Sequence, residues 1–446
     1  MRLRLRAFVA AGTALLASGC ASYSSLSLPT TPDAALAAGV PSSGSGVRTQ
    51  DIALSTGAAS TLTEADVMSL AVIRDPDLKA ARLKAGVAQA QTFEAGLLPD
   101  PRLAAGLGRG PEFTGFSLGV SENLKAFVVR PAVTAAARAR GRQVDLAVLW
   151  QEQQAALSAG RLFIRIQQDE ALKGVIERRR ALLARQYQLD QADFQQSAAA
   201  IRKVSADLSV LSDADAQLRQ LQLGADAARH ELNYLLGLAP EARPTLEGAD
   251  ATRPQALPEE RFKITLASLA AHRVDLQALR AGYESQEQRL RAAVRAQFPP
   301  LDAGLQWGED AAEGKHTTGL TVGLGLPIFN GNRGRVAVER ATRAALRAAY
   351  QARLDRAQNE ADEIWQATNI MTEQLEQLRK QTSALKTIAH AAEQQFRSGG
   401  MDAGAYVGLE TSLLQDEEES IRLDAKLDAD HLALNALLGL PLVSAR

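Results

Sequence analysis

Leu232-Asn233-Tyr234-Leu235-Leu236-Gly237-Leu238 returns with one exchange as Leu434-Asn435-Ala436-Leu437-Leu438-Gly439-Leu440 near the end of the chain. The same spacing of 202 positions pairs Phe194 with Phe396 and Leu124 with Leu326, so register holds from Leu124 to Leu238. Upstream the spacing falls to 198. There Asp77-Leu78-Lys79-Ala80-Ala81-Arg82 answers Asp275-Leu276-Gln277-Ala278-Leu279-Arg280, and Leu103-Ala104-Ala105-Gly106 answers Leu301-Asp302-Ala303-Gly304. The halves therefore differ by four residues, placed between Gly106 and Leu124. Solenoid repeats run about 20 to 50 residues. A unit this long is instead a duplicated domain-sized block, 61–238 and 259–446, joined by the proline-rich stretch 239–258.

Composition narrows the class. A net charge of −1 and 4% aromatic residues leave no electrostatic footprint for nucleic acid. Alanine, Leu, Gln, Arg and Glu dominate long stretches, which favours long helices and coiled coils. The single cysteine, Cys20, excludes an internal disulfide and a cysteine-based metal cluster. Arg2, Arg4 and Arg6 form a basic start, Ala7 to Ala17 an apolar run, and Ala17-Ser18-Gly19-Cys20 a small-residue cleavage site. Residues 1–19 thus read as a secretory signal peptide. The string Leu16-Ala17-Ser18-Gly19-Cys20 resembles a bacterial lipobox, which implies a mature chain beginning at a lipidated Cys20. Ala17 stands where that pattern usually has Leu, and ordinary signal-peptidase cleavage near Gly19 is the alternative. Ala21 in place of Asp implies, by the same resemblance, sorting to the outer membrane. Residues 20–60, rich in Ser, Gly, Pro, Thr and Ala, read as a flexible tether. No later run of 18 apolar residues exists, so any membrane crossing falls to strands.

Thr61-Leu62-Thr63-Glu64 is a capping-box pattern opening a helix expected from Thr61 to Leu98, stopped by Pro99-Asp100-Pro101. A β-hairpin, 102–124, follows. In it Leu103, Ala105 and Leu107, then Phe116, Leu118, Val120 and Leu124, alternate with small or polar residues. The second half repeats this order with a helix Glu259 to Gln297 and a hairpin 301–326. Leu301, Ala303, Leu305 and Trp307 share one strand face there, and Leu320, Val322, Leu324 and Leu326 another. Each hairpin leads into a long helix, Pro131 to Phe194 and Arg335 to Phe396, of roughly 90 Å at 1.5 Å per residue. Ile364, Met371, Leu378, Leu385 and Ala392 recur every seven residues, with Leu375, Ala389 and Phe396 between them, which marks coiled-coil packing. Return helices are expected over Ser205 to Leu236 and Ala405 to Leu438, ending at Gly237 and Gly439.

Four amphipathic strands suffice to span a bilayer but not to close a barrel, and an open edge in lipid leaves backbone groups unpaired. Oligomerisation is then required. Two copies give about 8 strands with a filled interior, and three give about 12 with room for a lumen. Phe113, Phe116, Trp307 and Phe329 lie near strand ends, where interfacial aromatics sit.

This order of elements resembles the TolC-like outer-membrane efflux proteins, especially the lipoprotein branch, over about residues 61 to 446. Leu97-Leu98-Pro99-Asp100-Pro101-Arg102-Leu103, Phe298-Pro299-Pro300-Leu301, Gly325 to Arg333 and the two Leu-Leu-Gly-Leu ends carry the resemblance. It implies a mainly α fold with a small β part, and a homotrimer whose 12-stranded outer-membrane barrel continues into a periplasmic α-helical tunnel. It also implies a passive exit duct that meets a periplasmic adaptor and an inner-membrane transporter, in contact with outer-membrane lipid. The alternative is a periplasmic coiled-coil scaffold or adaptor lipoprotein without a pore.

No catalytic constellation appears: there is no nucleophile elbow, P-loop or His-Glu-x-x-His. The five histidines, His230, His272, His316, His390 and His431, lack ligand spacing, so neither a metal nor a cofactor is expected. Asp416 to Glu419 reads as a solvated helix face. By resemblance, Phe194, Gln195 and Ser197 at the first helical tip, and Phe396, Arg397, Gly399 and Gly400 at the second, are candidate adaptor contacts. The first tip lacks the glycine pair of the second. Asp402 is the candidate tunnel constriction, because threefold symmetry turns one lumen carboxylate into a ring.

Overall fold

The computed structural model describes residues 23–31, 61–109, 114–192, 198–248, 257–310 and 314–440. The signal peptide, Cys20, Phe113, Phe194, Gln195 and Ser197 lie outside them. The chain divides into two units, Met1–Ala35 and Leu36–Arg446. Of the first, residues 23–31 contain no helix or strand.

In the larger unit the first repeat runs β1 (Thr61–Leu62), α1 (Glu64–Arg74), α2 (Pro76–Glu94), β2 (Arg102–Arg109), β3 (Thr114–Asn123), α3 (Leu124–Ala192) and α4 (Ala198–Leu235). After β4 (Thr245–Leu246), the second runs α5 (Glu259–Ala267), α6 (Leu269–His272), α7 (Val274–Arg295), β5 (Leu301–Asp310), β6 (Lys315–Leu324), α8 (Arg333–Arg397) and α9 (Ala403–Leu438). No described helix is long and apolar enough to cross a membrane.

The helix expected over Thr61 to Leu98 is two helices, and the reason is local. Thr63 forms the capping box with Asp66: its hydroxyl accepts from Asp66 N–H at 3.3 Å and its own N–H donates to Asp66 Oδ2 at 3.1 Å. Pro76 cannot continue α1, so the chain restarts with Asp75 as cap, its Oδ1 accepting from Asp77 N–H at 2.8 Å. The corresponding segment Glu259 to Gln297 breaks twice, at Ser268 and at Arg273, which leaves the helical region at φ −74°, ψ 123°. A second correction concerns the long helix expected to begin at Pro131. Helix α3 starts at Leu124, directly after β3, and carries Pro131 inside it at the loss of one amide hydrogen bond. In the second repeat the counterpart of 125–130 is a loop, and α8 begins at Arg333.

The two return helices end as their shared string requires. Gly237 and Gly439 adopt φ +60° and +70°, and Leu238 N–H and Leu440 N–H reach back to the carbonyls of Asn233 (2.8 Å) and Asn435 (2.9 Å). This is the Schellman closure, and it needs glycine at the left-handed position. The cores repeat too. Ala159, Phe163, Leu232 and Leu236 pack with Val67 and Leu70, while Ala361, Trp365, Leu434 and Leu438 pack with Phe262. In the second core Trp365 stands where the first has Phe163 and stacks on Phe262 with centroids 4.7 Å apart. Along α8 the most buried row is Ala361, Thr368, Leu375, Thr382 and Ala389, again seven apart. Ile364, Met371, Leu378 and Leu385 flank it half-buried. The heptad is present, and the smaller residues occupy its centre because they let α9 approach closely.

One buried charge cluster ties four helices together. Arg273, its side chain fully buried, donates to Asp275 at 2.9 and 2.8 Å and lies over the Trp150 ring of α3 at 5.4 Å. It also reaches the Leu437 carbonyl of α9 at 3.4 Å, and Arg353 of α8 donates to the same Asp275 at 2.8 Å. Burial alone would raise the Asp275 carboxyl. The hydrogen bonds and charge of Arg273, joined by Arg353, overcome this and hold it below the usual carboxylate range. Removing that carboxylate strands a buried guanidinium, so Asp275→Ala is expected to destabilise the chain by about 3–5 kcal/mol. Its repeat counterpart, Asp77→Ala, lies on the surface and should cost less than about 1 kcal/mol. Denaturant unfolding followed by helical circular dichroism checks the contrast, and equal losses would contradict this role.

Candidate functional site

The sheet and the helical tips are where the chain offers chemistry to its surroundings. Strand order is β2-β3-β5-β6, antiparallel throughout, so the two hairpins merge into one four-stranded sheet. Register sets its faces. Leu103, Val120, Leu305 and Leu320 form one cross-strand row, and Ala105, Leu118, Trp307 and Thr318 the next on the same side. The other side presents Ala104, Gly119, Gln306 and Gly319, then Gly106, Ser117, Gly308 and Thr317. Alternation thus yields an apolar face and a small-polar face. The apolar one is bare: Leu103, Leu305 and Leu320 are 70%, 69% and 73% exposed. Such a surface marks a membrane or partner contact. Trp307 packs edge-on to Phe116 at 6.1 Å and stacks on His316 at 5.7 Å, while Phe329, just past β6, is exposed. Strands β2 and β6 are the outer strands, each with one described neighbour.

The second tip, between α8 and α9, is closed by two caps. Gly399 takes φ +76°, and Gly400 N–H donates to the Gln395 carbonyl at 2.8 Å, ending α8. Asp402 caps α9, its Oδ2 accepting from Gly404 N–H at 2.9 Å and Ala405 N–H at 3.2 Å. Phe396 stacks on Tyr406 with centroids 4.8 Å apart, which pins the two helices at the turn. Arg397 pairs with Glu393 one turn back. Phe396, Arg397, Gly399, Gly400 and Asp402 are therefore brought together on one tight turn.

The charge cluster of the first hairpin was not singled out in sequence. Lys203 of α4 donates to Asp190 of α3 at 2.6 Å, and Asp190 shares a hydrogen bond with Asp207. Burial pushes the Asp207 carboxyl up to about 6, and the hydrogen bond and negative charge of Asp190 push the same way. Burial opposes ionisation of Asp190 as well, but hydrogen bonds from Lys203, Asp207 and Gln186 hold it below the usual range. Its hydrogen bond to Asp190 raises Lys203, and so do the charges of Asp190, Asp207 and Asp402, so the two hairpins meet electrostatically. The residues stand 13 and 17 positions from Asp190 along a helical hairpin, a spacing with no sequence signature.

Residues 265–440 match the outer membrane efflux protein family. A search of curated proteins finds no sequence matching this chain. Among solved structures, the outer-membrane channel OprN has a TM-score of 0.70 at 17% identity, with 85% of this chain and 90% of that one covered. The outer membrane channel CmeC of Campylobacter jejuni has 0.70 at 14% identity, covering 84% and 85%. The outer membrane protein VceC of Vibrio cholerae has 0.66 at 17% identity, covering 85% and 97%. At these identities the likeness concerns the fold.

Because the folded pKa of Asp207 lies above its ordinary value, the folded hairpin holds a proton that the unfolded chain releases. Its stability should therefore rise as pH falls through about 6 toward the ordinary carboxylate range. Amide protection factors at the end of α3 and start of α4 are expected to be higher at pH 5.5 than at pH 7.5. Asp207→Asn should remove that difference, and a pH response surviving the substitution would contradict the assignment. The second repeat, over residues 265–440, thus matches the outer membrane efflux protein family, and the fold of the chain is similar to that of the outer-membrane channels OprN and CmeC.

Proposed function

We propose that three copies of this chain close their sheets into a 12-stranded outer-membrane barrel and their helices into a periplasmic tunnel. The assembly serves as the passive exit duct of a tripartite efflux system. The observation that carries this reading is a four-stranded sheet whose apolar face is bare, whose polar face is lined with Gly, Ser and Thr, and whose outer strands each have one neighbour among the described residues. In lipid those outer strands need partners, because each unpaired backbone group costs several kcal/mol. Pairing β6 of one copy with β2 of the next supplies them. Twelve strands leave a water-filled lumen bounded by the polar face, whereas about eight leave side chains filling the interior.

The helices of each repeat run from the sheet to a tip, α3 alone reaching about 100 Å at 1.5 Å per residue. We place the tips at the periplasmic entrance. There Phe194, Gln195, Ser197, Phe396, Arg397, Gly399 and Gly400 meet an adaptor that links the duct to an inner-membrane transporter, the source of energy. Asp402 narrows the entrance as a ring of three carboxylates, held in place by its capping bonds. Cys20 carries the lipid that anchors the periplasmic side to the outer membrane.

Conductance of the purified chain in planar bilayers tests the duct, with substitutions on the two sheet faces as the internal contrast. Leu305→Arg puts a charge on the lipid face at a cost of about 2–4 kcal/mol at mid-membrane, and should block insertion into the outer membrane. Gln306→Arg, one residue on and facing the lumen, should insert normally and alter conductance. Insertion of both variants alike would contradict the assignment of faces. The anchor has a separate check. Mass spectrometry of the mature N-terminus should find an acylated Cys20, and Cys20→Ser should lose the acyl chains, while an unmodified wild-type Cys20 would remove the lipoprotein reading.

A further inference from the structure

The wall of helices beneath the sheet holds a cationic hollow that the duct reading does not use. Helix α2 packs on α3, α3 on α7 and α7 on α8. This is the order of the strands they adjoin, β2, β3, β5 and β6, so near the sheet the four helices form a single layer. A hollow of 540 Å³ is lined by all four of them. A cavity shared by every member of a single-layer wall lies on its concave side. Its floor is alanine, including Ala88, Ala136 and Ala293, and three guanidinium groups border it: Arg140, Arg289 and Arg335.

Their charges are unequally balanced. Arg335 pairs with the buried Glu339 at 2.6 Å, and Glu339 also accepts from Gln286, so the one carboxylate lining the hollow is spent. Arg140 donates to the neutral Gln143 at 2.7 Å, and neither it nor Arg289 has a carboxylate partner among the described residues. About half a helical turn away, on the opposite side of the wall, these helices expose Phe93, Phe127, Val128 and Val294. The outer side thus mixes apolar side chains with solvated arginines, while the inner side gathers its guanidiniums around one hollow.

We infer that this hollow is an anion-selecting band of the tunnel, which draws small organic anions bearing carboxylate, sulfonate or phosphate groups toward the barrel. The inference rests on the proposed duct. Two uncompensated guanidiniums per chain, repeated by threefold symmetry, form a positive belt around a confined path, where the field is focused and local anion concentration rises. The alanine floor adds a shallow apolar surface for the carbon skeleton of such a solute.

The test uses the full chain in detergent with the trisulfonate dye pyranine, read by fluorescence anisotropy, and the same protein in planar bilayers under a KCl gradient. Arg140→Gln with Arg289→Gln is expected to weaken dye binding at least about tenfold at low salt, and less at high salt, where screening shortens to a few ångströms. The control is Arg138→Gln with Arg291→Gln, an identical charge change on exposed residues of the outer side, which should leave binding within about twofold. Equal loss in both pairs, or loss in neither, overturns the inference. In bilayers the wild-type reversal potential should favour chloride, and the inner pair should shift it toward potassium. A conducting channel whose selectivity ignores the inner pair overturns the anion band and leaves the duct standing. A silent channel removes the duct itself, and the dye result then decides the hollow alone.

Discussion

An antiparallel strand with one neighbour has half its amide and carbonyl groups unanswered, and that single fact governs how this chain can exist. In water such an edge is satisfied by solvent; in hydrocarbon it is not. The sheet β2-β3-β5-β6 ends in two such edges, and its apolar face is bare over several Leu and Val side chains. A solitary copy has no medium that suits both features. The helices inherit the consequence, since α2, α3, α7 and α8 adjoin the strands one for one and pack side by side in the strands' order.

Duplication lets the chain meet this demand twice with different residues. Where sheet meets helices, Arg130 of α3 donates to the Gly96 carbonyl at 3.1 Å, closing the end of α2. At the equivalent place Asn332 donates to the Ala293 carbonyl of α7 at 2.7 Å. Asp75 caps one helix through its own oxygen, whereas its counterpart Arg273 turns inward and is neutralised by Asp275. The same backbone need is answered each time by whatever side chain the repeat retained. That is the expected outcome when geometry is fixed and chemistry is free to drift.

What could be read from sequence follows the range of the interactions involved. The strand faces were legible because alternation is local, and the Gly237 and Gly439 ends because the Schellman closure lies within seven residues. The break at Asp75-Pro76 was also local, yet the apolar pattern continued through it and concealed it. Pro131 misled as a helix start because proline favours the first turn, while the strand-to-helix transition at Leu124 has no breaker residue to announce it. The β1–β4 pairing, the Arg273–Asp275–Arg353 cluster and the Asp190–Lys203–Asp207 group join residues far apart along the chain or across a hairpin. No periodicity encodes such contacts. Residues 396–402 form a turn whose capping bonds come from backbone geometry at Gly399 and Asp402, which no sequence periodicity encodes.

The two joints that lead from a strand out into a long helix differ in kind. At Asn123–Leu124 the strand passes into α3 with no intervening residue, and α3 is anchored again by Arg130. Between Leu324 and Arg333 the chain instead makes an exposed loop, containing Pro327, Gly331 and the left-handed Asn332, before α8 begins. In a threefold assembly stiff and compliant couplings would alternate around the ring. Of the six junctions that lead from a strand out into a long helix, a twist of the proposed tunnel would pass to the barrel mainly through the three stiff ones, and the three compliant ones would absorb it as bending, so that the barrel would keep its seal while the tunnel changed shape.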